Sequence, residues 1–165
     1  MIRVRRNIIL GLFVAIAIVL HIIESSLPTT LLFPGAKLGL ANIITLFVLL
    51  NYGFFAALKV VILRIILSSL LIGTFFTINY WLSLAGGIVS LLVMGYVYHS
   101  YYQKFSLIGI SVLGAASHNL AQVGMAFILI KNWRIIFYLP YLLLLSLPTG
   151  IFVALLVIQL QKHLQ

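Results

Sequence analysis

The chain alternates long apolar runs with short breaks marked by proline, glycine or clustered polar residues. A helix crossing a hydrocarbon core needs about 20 consecutive, mainly apolar residues. On that measure the breaks predict six helices, at about 7–26, 35–50, 54–76, 80–101, 106–130 and 135–161. Pro28 and Pro34 bound the connection after the first, and Asn51-Tyr52-Gly53 turns the chain between the second and third. That turn is weakly marked and the second run is short, so five helices with one broken near Asn51 fit the same pattern. The expected fold is an all-α integral membrane bundle of six transmembrane helices, a single domain over residues 1–165.

Composition strengthens this picture. Apolar residues make up 64% of the chain and charged residues 7%, against about 25% charged in an ordinary soluble domain. Such a surface has to face a lipid bilayer. The first run follows Arg3, Arg5 and Arg6 but precedes no small-x-small cleavage site, so it is read as a retained helix rather than a leader.

Charge then fixes an expected orientation. With the N-terminus inside, the cytoplasmic ends carry Arg3, Arg5, Arg6, Lys59, Lys104 and Lys162, and the outer ends carry Lys37, Lys131 and Arg134. The excess of cations inside places both termini in the cytoplasm. Tyr52, Tyr80, Trp81, Tyr101, Tyr102, Trp133 and Tyr138 fall near the expected interfaces. The net charge of +9 is spread over helix ends and forms no basic stripe with stacking aromatics, so nucleic acid is not an expected partner.

Glu24 is the single acid, and cysteine is absent. Paired carboxylates, carboxylate metal cages, Asp-oriented triads and thiolate chemistry are therefore excluded. The four histidines lie far apart in sequence, so neither a metal site nor a cofactor is expected. No Gly-x4-Gly-Lys-Ser/Thr loop occurs, so the chain has no ATPase of its own.

Ionisable and polar groups inside the spans are the candidate functional residues, because their burial in a membrane is costly. Glu24 stands in the last turn of its helix and Lys37 in the first turn of the next, each at the end its charge disfavours. They form either an ion-paired latch on the outer loop or, through Lys37 and the amides after Pro34-Gly35, an anion-receptive helix start. Arg64 falls about 16 Å along the third helix, near mid-membrane, and serves as a structural clamp or a ligand contact. On the fifth helix Ser111, Ala115, His118 and Gln122 share one face beside Gly114, with Asn119 turned towards a neighbour. These side chains either read a polar substrate or join helices. Gly11 and Ala15, Gly35 and Gly39, and Gly86-Gly87 with Ser90 offer small-residue faces for close packing within the chain or against a partner.

The segment Pro34-Gly35-Ala36-Lys37-Leu38-Gly39-Leu40-Ala41-Asn42 strongly resembles the Gx transporter family, whose members are often labelled heptaprenyl diphosphate synthase component I. The resemblance continues through Glu24 and Pro28, the stretch from Arg64 to Gly73, and Gly86-Gly87. It ends with the stretch from Gly114 through His118-Asn119 to Gln122, so it spans almost the whole chain. That family is grouped with the substrate-binding S components of energy-coupling factor importers. The resemblance implies a six-helix fold with an outward pocket under the loop between the first two helices. It also implies docking onto a coupling subunit driven by an ATPase pair, with Gly11-x-x-x-Ala15 near the position of an Ala-x-x-x-Ala docking face.

These strands give one expectation: a non-enzymatic, multi-pass subunit in a bacterial plasma membrane that binds a small anionic or amphipathic solute. Its expected pocket draws on Lys37, Asn42, Arg64, Ser111, His118, Asn119 and Gln122. The alternatives are a membrane scaffold for isoprenoid or quinone synthesis and, last, a solitary carrier. Catalysis of prenyl diphosphate synthesis is not expected, since that chemistry holds Mg²⁺ between Asp-rich motifs and the chain has no Asp.

Overall fold

The computed structural model describes residues 2–26, 39–101 and 103–164, and these are helical apart from short connections, with no strand among them. The helices are α1 (Ile2–Ser26), α2 (Leu40–Tyr52), α3 (Phe54–Ile72), α4 (Ile78–Tyr101), α5 (Leu107–Ile130) and α6 (Leu139–Leu164). A short 3-10 segment, Trp133–Tyr138, leads into α6. Five of the six are long and apolar enough to cross a membrane. The exception is α2: its 13 residues extend about 20 Å, short of a hydrocarbon core of about 30 Å.

The Asn51 turn is a true reversal. Gly53, at φ 86° and ψ 173°, is the one residue between α2 and α3, in a backbone region that only glycine enters freely. Arg64 Nη2 donates to Asn42 Oδ1 at 3.0 Å. A straight helix would separate residues 22 positions apart by about 33 Å. The two segments therefore fold back as a hairpin, which removes the alternative of one broken span. At the same rim, Arg6 Nη2 donates to the carbonyl of Tyr52 at 3.2 Å, so the start of α1 lies beside this turn.

Several expected boundaries move. α1 begins at Ile2 rather than Asn7. α2 begins at Leu40, after Gly39 at φ 78°, so Gly39 starts the helix and is not part of a small-residue face on it; Gly35 lies outside the described residues. α3 stops at Ile72 rather than Phe76, because Gly73 adopts φ 77° and donates to the Leu70 carbonyl while Thr74 donates to that of Ser69. These bonds close the helix end as a left-handed glycine usually does. α4 starts two residues earlier than expected. The sixth run divides at Leu139, where the side chain of Asn132 accepts from Arg134 N and caps the 3-10 segment first.

The shortest helix is the innermost. α2 touches α1, α3, α4 and α6, and its residues from Ile43 to Leu49 are all buried. A helix apolar on every side belongs in such a centre. The longer helices turn Val4, Ile8 and Leu12, or Leu144, Ile151 and Leu155, outwards to lipid. The most extensive packing joins α4 to α5 and α5 to α6. Glycines permit it: a Cβ on Gly150 of α6 would lie 2.6 Å from Val112 Cα of α5. Pro148 lies inside α6 without ending it, and the neighbouring Thr149 hydroxyl donates to the Leu145 carbonyl at 2.9 Å.

Gly150→Ala therefore forces two backbones apart and should lower thermal stability in detergent by about 1–3 kcal/mol, the usual range for overpacking. Gly124→Ala, with nothing within 4 Å of the added methyl, should be neutral or gain up to about 1 kcal/mol. Equal melting temperatures for the two variants would contradict the packing described.

Candidate functional site

Polar side chains that lipid cannot satisfy gather in one cleft inside the bundle. α3 carries Arg64 inwards, 3% exposed, and the hairpin sets Asn42 of α2 against it. α5 brings Ser111, His118 and Asn119, and α1 brings His21 and Glu24. Ser83 and Ser90 on α4 and Thr149 on α6 complete the polar wall. The free space among them measures about 30 Å³, room for about two water molecules.

Glu24 reaches beyond its own helix. Its Oε1 accepts from the backbone N–H of Gly39, the residue that starts α2. A carboxylate at the C-terminus of α1 is thus held at the N-terminus of α2, where free amides and the helix dipole favour negative charge. This bond ties α1 to α2, and Glu24 also acts electrostatically on Arg64. Lys37, the other half of the expected latch, lies outside the described residues, as do Pro34 and Gly35.

Arg64 is only partly satisfied. Nη2 bonds Asn42, while Nε and Nη1 are buried and have no hydrogen-bond partner. Guanidinium nitrogens donate and never accept, so the groups that complete them are electron-rich oxygens. Ser90 Oγ and Gln122 Oε1 are likewise buried without a hydrogen-bond partner among the described residues.

The expected residues divide accordingly. Asn42, Arg64, Ser111, His118 and Asn119 come together in the cleft. Gln122 is buried on the same face of α5 but sits beside Gly86, outside the cleft lining. Asn119 also donates to the Leu142 carbonyl at 2.8 Å and joins α5 to α6. Gly11 and Ala15 face outwards, with nothing within 4 Å of a Cβ on Gly11, so that pair does not pack inside the chain.

One expectation is corrected. His21 and His118, taken from sequence as belonging to separate regions, line the same cleft. Among the described residues no three metal-ligating side chains gather. Sequence reasoning also missed Ser83 and Thr149. The spacing of His21 and Glu24, three residues and so one turn apart on α1, was the available signal for His21. Ser83, Gly86, Gly87 and Ser90 recur at i, i+3, i+4 and i+7, so they share one face of α4; that pattern was read only as a packing device.

Gly86 gives α5 its place. A Cβ there would come within 2.8 Å of Gln122 Cγ and His118 Cε1. Gly86→Ala should therefore shift the His118 ring resonances in NMR spectra while the fold persists, because side-chain ends can move where backbone cannot. Glu24→Ala should speed hydrogen exchange at the Gly39 amide by about tenfold or more, since a hydrogen bond to a charged group is worth about 1.5–3 kcal/mol. Unchanged exchange there would show that Glu24 does not hold the start of α2.

No match was found among curated proteins or among solved structures. The family described as heptaprenyl diphosphate synthase component I matches residues 13–160, which take in the cleft, the whole of α2 to α5 and the larger part of α1 and α6. This multi-pass, all-helical chain belongs to the heptaprenyl diphosphate synthase component I family.

Proposed function

We propose that the chain is a substrate-binding membrane subunit that takes up a small anionic solute through the Arg64 cleft. It works in the plasma membrane of a bacterium with a separate coupling subunit and ATPase pair. The observation that carries this reading is Arg64, buried midway along α3 with two nitrogens that have no hydrogen-bond partner among the described residues. Interhelical hydrogen bonds in membranes average about 0.6 kcal/mol, whereas a central arginine is disfavoured by about 2.5–3.5 kcal/mol. The single bond to Asn42 does not offset that, so a purely structural clamp is poorly compensated. An anion in the cleft supplies the missing acceptors. Gly11 and Ala15, exposed on α1, are where the coupling subunit docks.

A second reading is favoured by the family description: a non-catalytic membrane component of a prenyl diphosphate synthase assembly. The chain supplies no Asp for a Mg²⁺–diphosphate site, so catalysis would belong to another subunit. Co-purification separates the two, through an ATPase pair in one case and a soluble synthase in the other.

The anion site is tested with inorganic phosphate and butyl phosphate on the purified chain by calorimetry. Arg64→Gln keeps an N–H for Asn42 but removes the charge, and should weaken binding by about tenfold or more, since 1.4 kcal/mol is a factor of ten. Asn42→Ala should weaken it less. Equal affinities in wild type and Arg64→Gln would rule out the anionic cleft.

A further inference from the structure

The cleft is too small for most solutes, and a larger cavity lies beside it. Ligand sites usually measure about 300–1,000 Å³, far above the 30 Å³ around Arg64. An apolar groove of about 410 Å³ runs between α1 and α6 with α2 as its floor. Its walls are Phe13, Ile16 and Leu20 of α1 and Leu156 and Leu160 of α6. No polar side chain lines it.

Cleft and groove have no lining residue in common but follow one another along the same three helices, α1, α2 and α6. Thr149 and Val153 line the cleft, and Leu156 and Leu160 line the groove. These four recur at i, i+4, i+7 and i+11, so they form one continuous stripe along α6. On α1, Leu20 of the groove lies one turn below Glu24 of the cleft. On α2, Ala41 and Asn42 of the cleft are followed directly by Ile43 and Ile44 of the groove. α6 passes close to the start of α2, where a Cβ on Gly39 would lie 3.7 Å from Val153 Cγ2. The other large cavity, lined by Leu49, Gly53, Phe54 and Tyr96 among others, lies at the α2–α3 turn, at the far end of α2 from Gly39, and is lined by no residue of α1 or α6.

We infer that the ligand is a single-chain anionic amphiphile, with its charged head at Arg64 and its apolar chain in the α1–α6 groove. The inference rests on the anion-binding reading of the cleft and extends it to a substrate class. Charge decides the head: Arg64, with two donors left open among the described residues, lines the polar cleft. Volume decides the chain, since the cleft takes only a compact group and the groove takes an extended one. A single groove accommodates one chain, so an ordinary two-chain phospholipid fits less well. Each methylene withdrawn from water contributes up to about fourfold in affinity.

The test compares inorganic phosphate, butyl phosphate, dodecyl phosphate, dodecanol and phosphatidic acid on the purified full-length chain, with Leu160→Trp and Arg64→Gln as variants. Leu160 is 39% exposed to the lipid side, so an indole there narrows the groove while the core stays intact; a thermal melt checks this. Dodecyl phosphate should bind at least about tenfold tighter than butyl phosphate to wild type, and Leu160→Trp should erase most of that advantage without changing phosphate binding. Dodecanol and phosphatidic acid should bind more weakly than dodecyl phosphate. No chain-length advantage, or one that survives Leu160→Trp, overturns the groove assignment and leaves the cleft reading standing. Phosphatidic acid binding as tightly as dodecyl phosphate overturns the single-chain assignment in favour of a bilayer lipid. Failure of both phosphate and butyl phosphate to bind, with Arg64→Gln indistinguishable from wild type for every probe, overturns the cleft reading itself.

Discussion

A guanidinium placed at the centre of a hydrophobic bundle organises much of this fold. Lipid offers Arg64 no acceptor, so the protein must bring one. The α2–α3 hairpin does so by reversing at a single glycine and setting Asn42 opposite Arg64. α4 and α5 turn their serines, His118 and Asn119 towards the same point, while their outer faces stay apolar. Glu24 adds the opposite charge at the cleft wall, yet its own hydrogen bond goes to the start of α2. The carboxylate is thereby satisfied at a helix N-terminus, and Arg64 keeps open donors. Had Glu24 paired directly with Arg64, the cleft would be a closed ion pair with less attraction for a ligand.

Much of the architecture was legible in the sequence, for identifiable reasons. Lipid-facing helices are recognised by length and continuous apolarity, and α5 in particular keeps its expected limits because Ser106 caps it through Gly109 N. The place of Arg64 midway along α3 followed from its position in the apolar run. What escaped the sequence depends on tertiary partners. The start of α2 at Gly39 rests on a left-handed glycine and on an acceptor fifteen residues earlier in another helix. The early stop of α3 at Gly73 was hidden because Thr74-Phe75-Phe76 continues an apolar run. His21 was hidden by the reverse effect: one histidine in an apolar helix has no meaning until α5 brings His118 to the same cleft.

Small residues show why one local pattern supports two outcomes. Gly86, Gly114 and Gly150 stand where a neighbouring helix comes close enough to exclude a methyl group. Gly11 stands on the outside of α1 with empty space around it. Both kinds look alike in sequence. The difference is whether the rest of the chain has a helix to place against that face, and α1 is covered mainly by α2 and α3.

That asymmetry bears on which wall of the cleft is least firmly held. About 30 Å³ has room for little more than water, so the proposed binding role requires a wall to move. α4, α5 and α6 are locked together through glycine contacts and the Asn119–Leu142 bond. α1 contributes His21 and Glu24 to the wall but leaves a groove between itself and α6. Among the described residues, hydrogen bonds to other helices hold it at its two ends, through Arg6 to Tyr52 and Glu24 to Gly39. Displacing the end of α1 would break the charge-assisted hydrogen bond from the Gly39 amide to Glu24, worth about 1.5–3 kcal/mol, and disturb the surroundings of His21 as well. Displacing α5 or α6 would disrupt the largest packed surfaces in the molecule. The chain's one carboxylate thus ties the end of α1 to the start of α2 at a cleft wall that no glycine contact locks to α5 or α6.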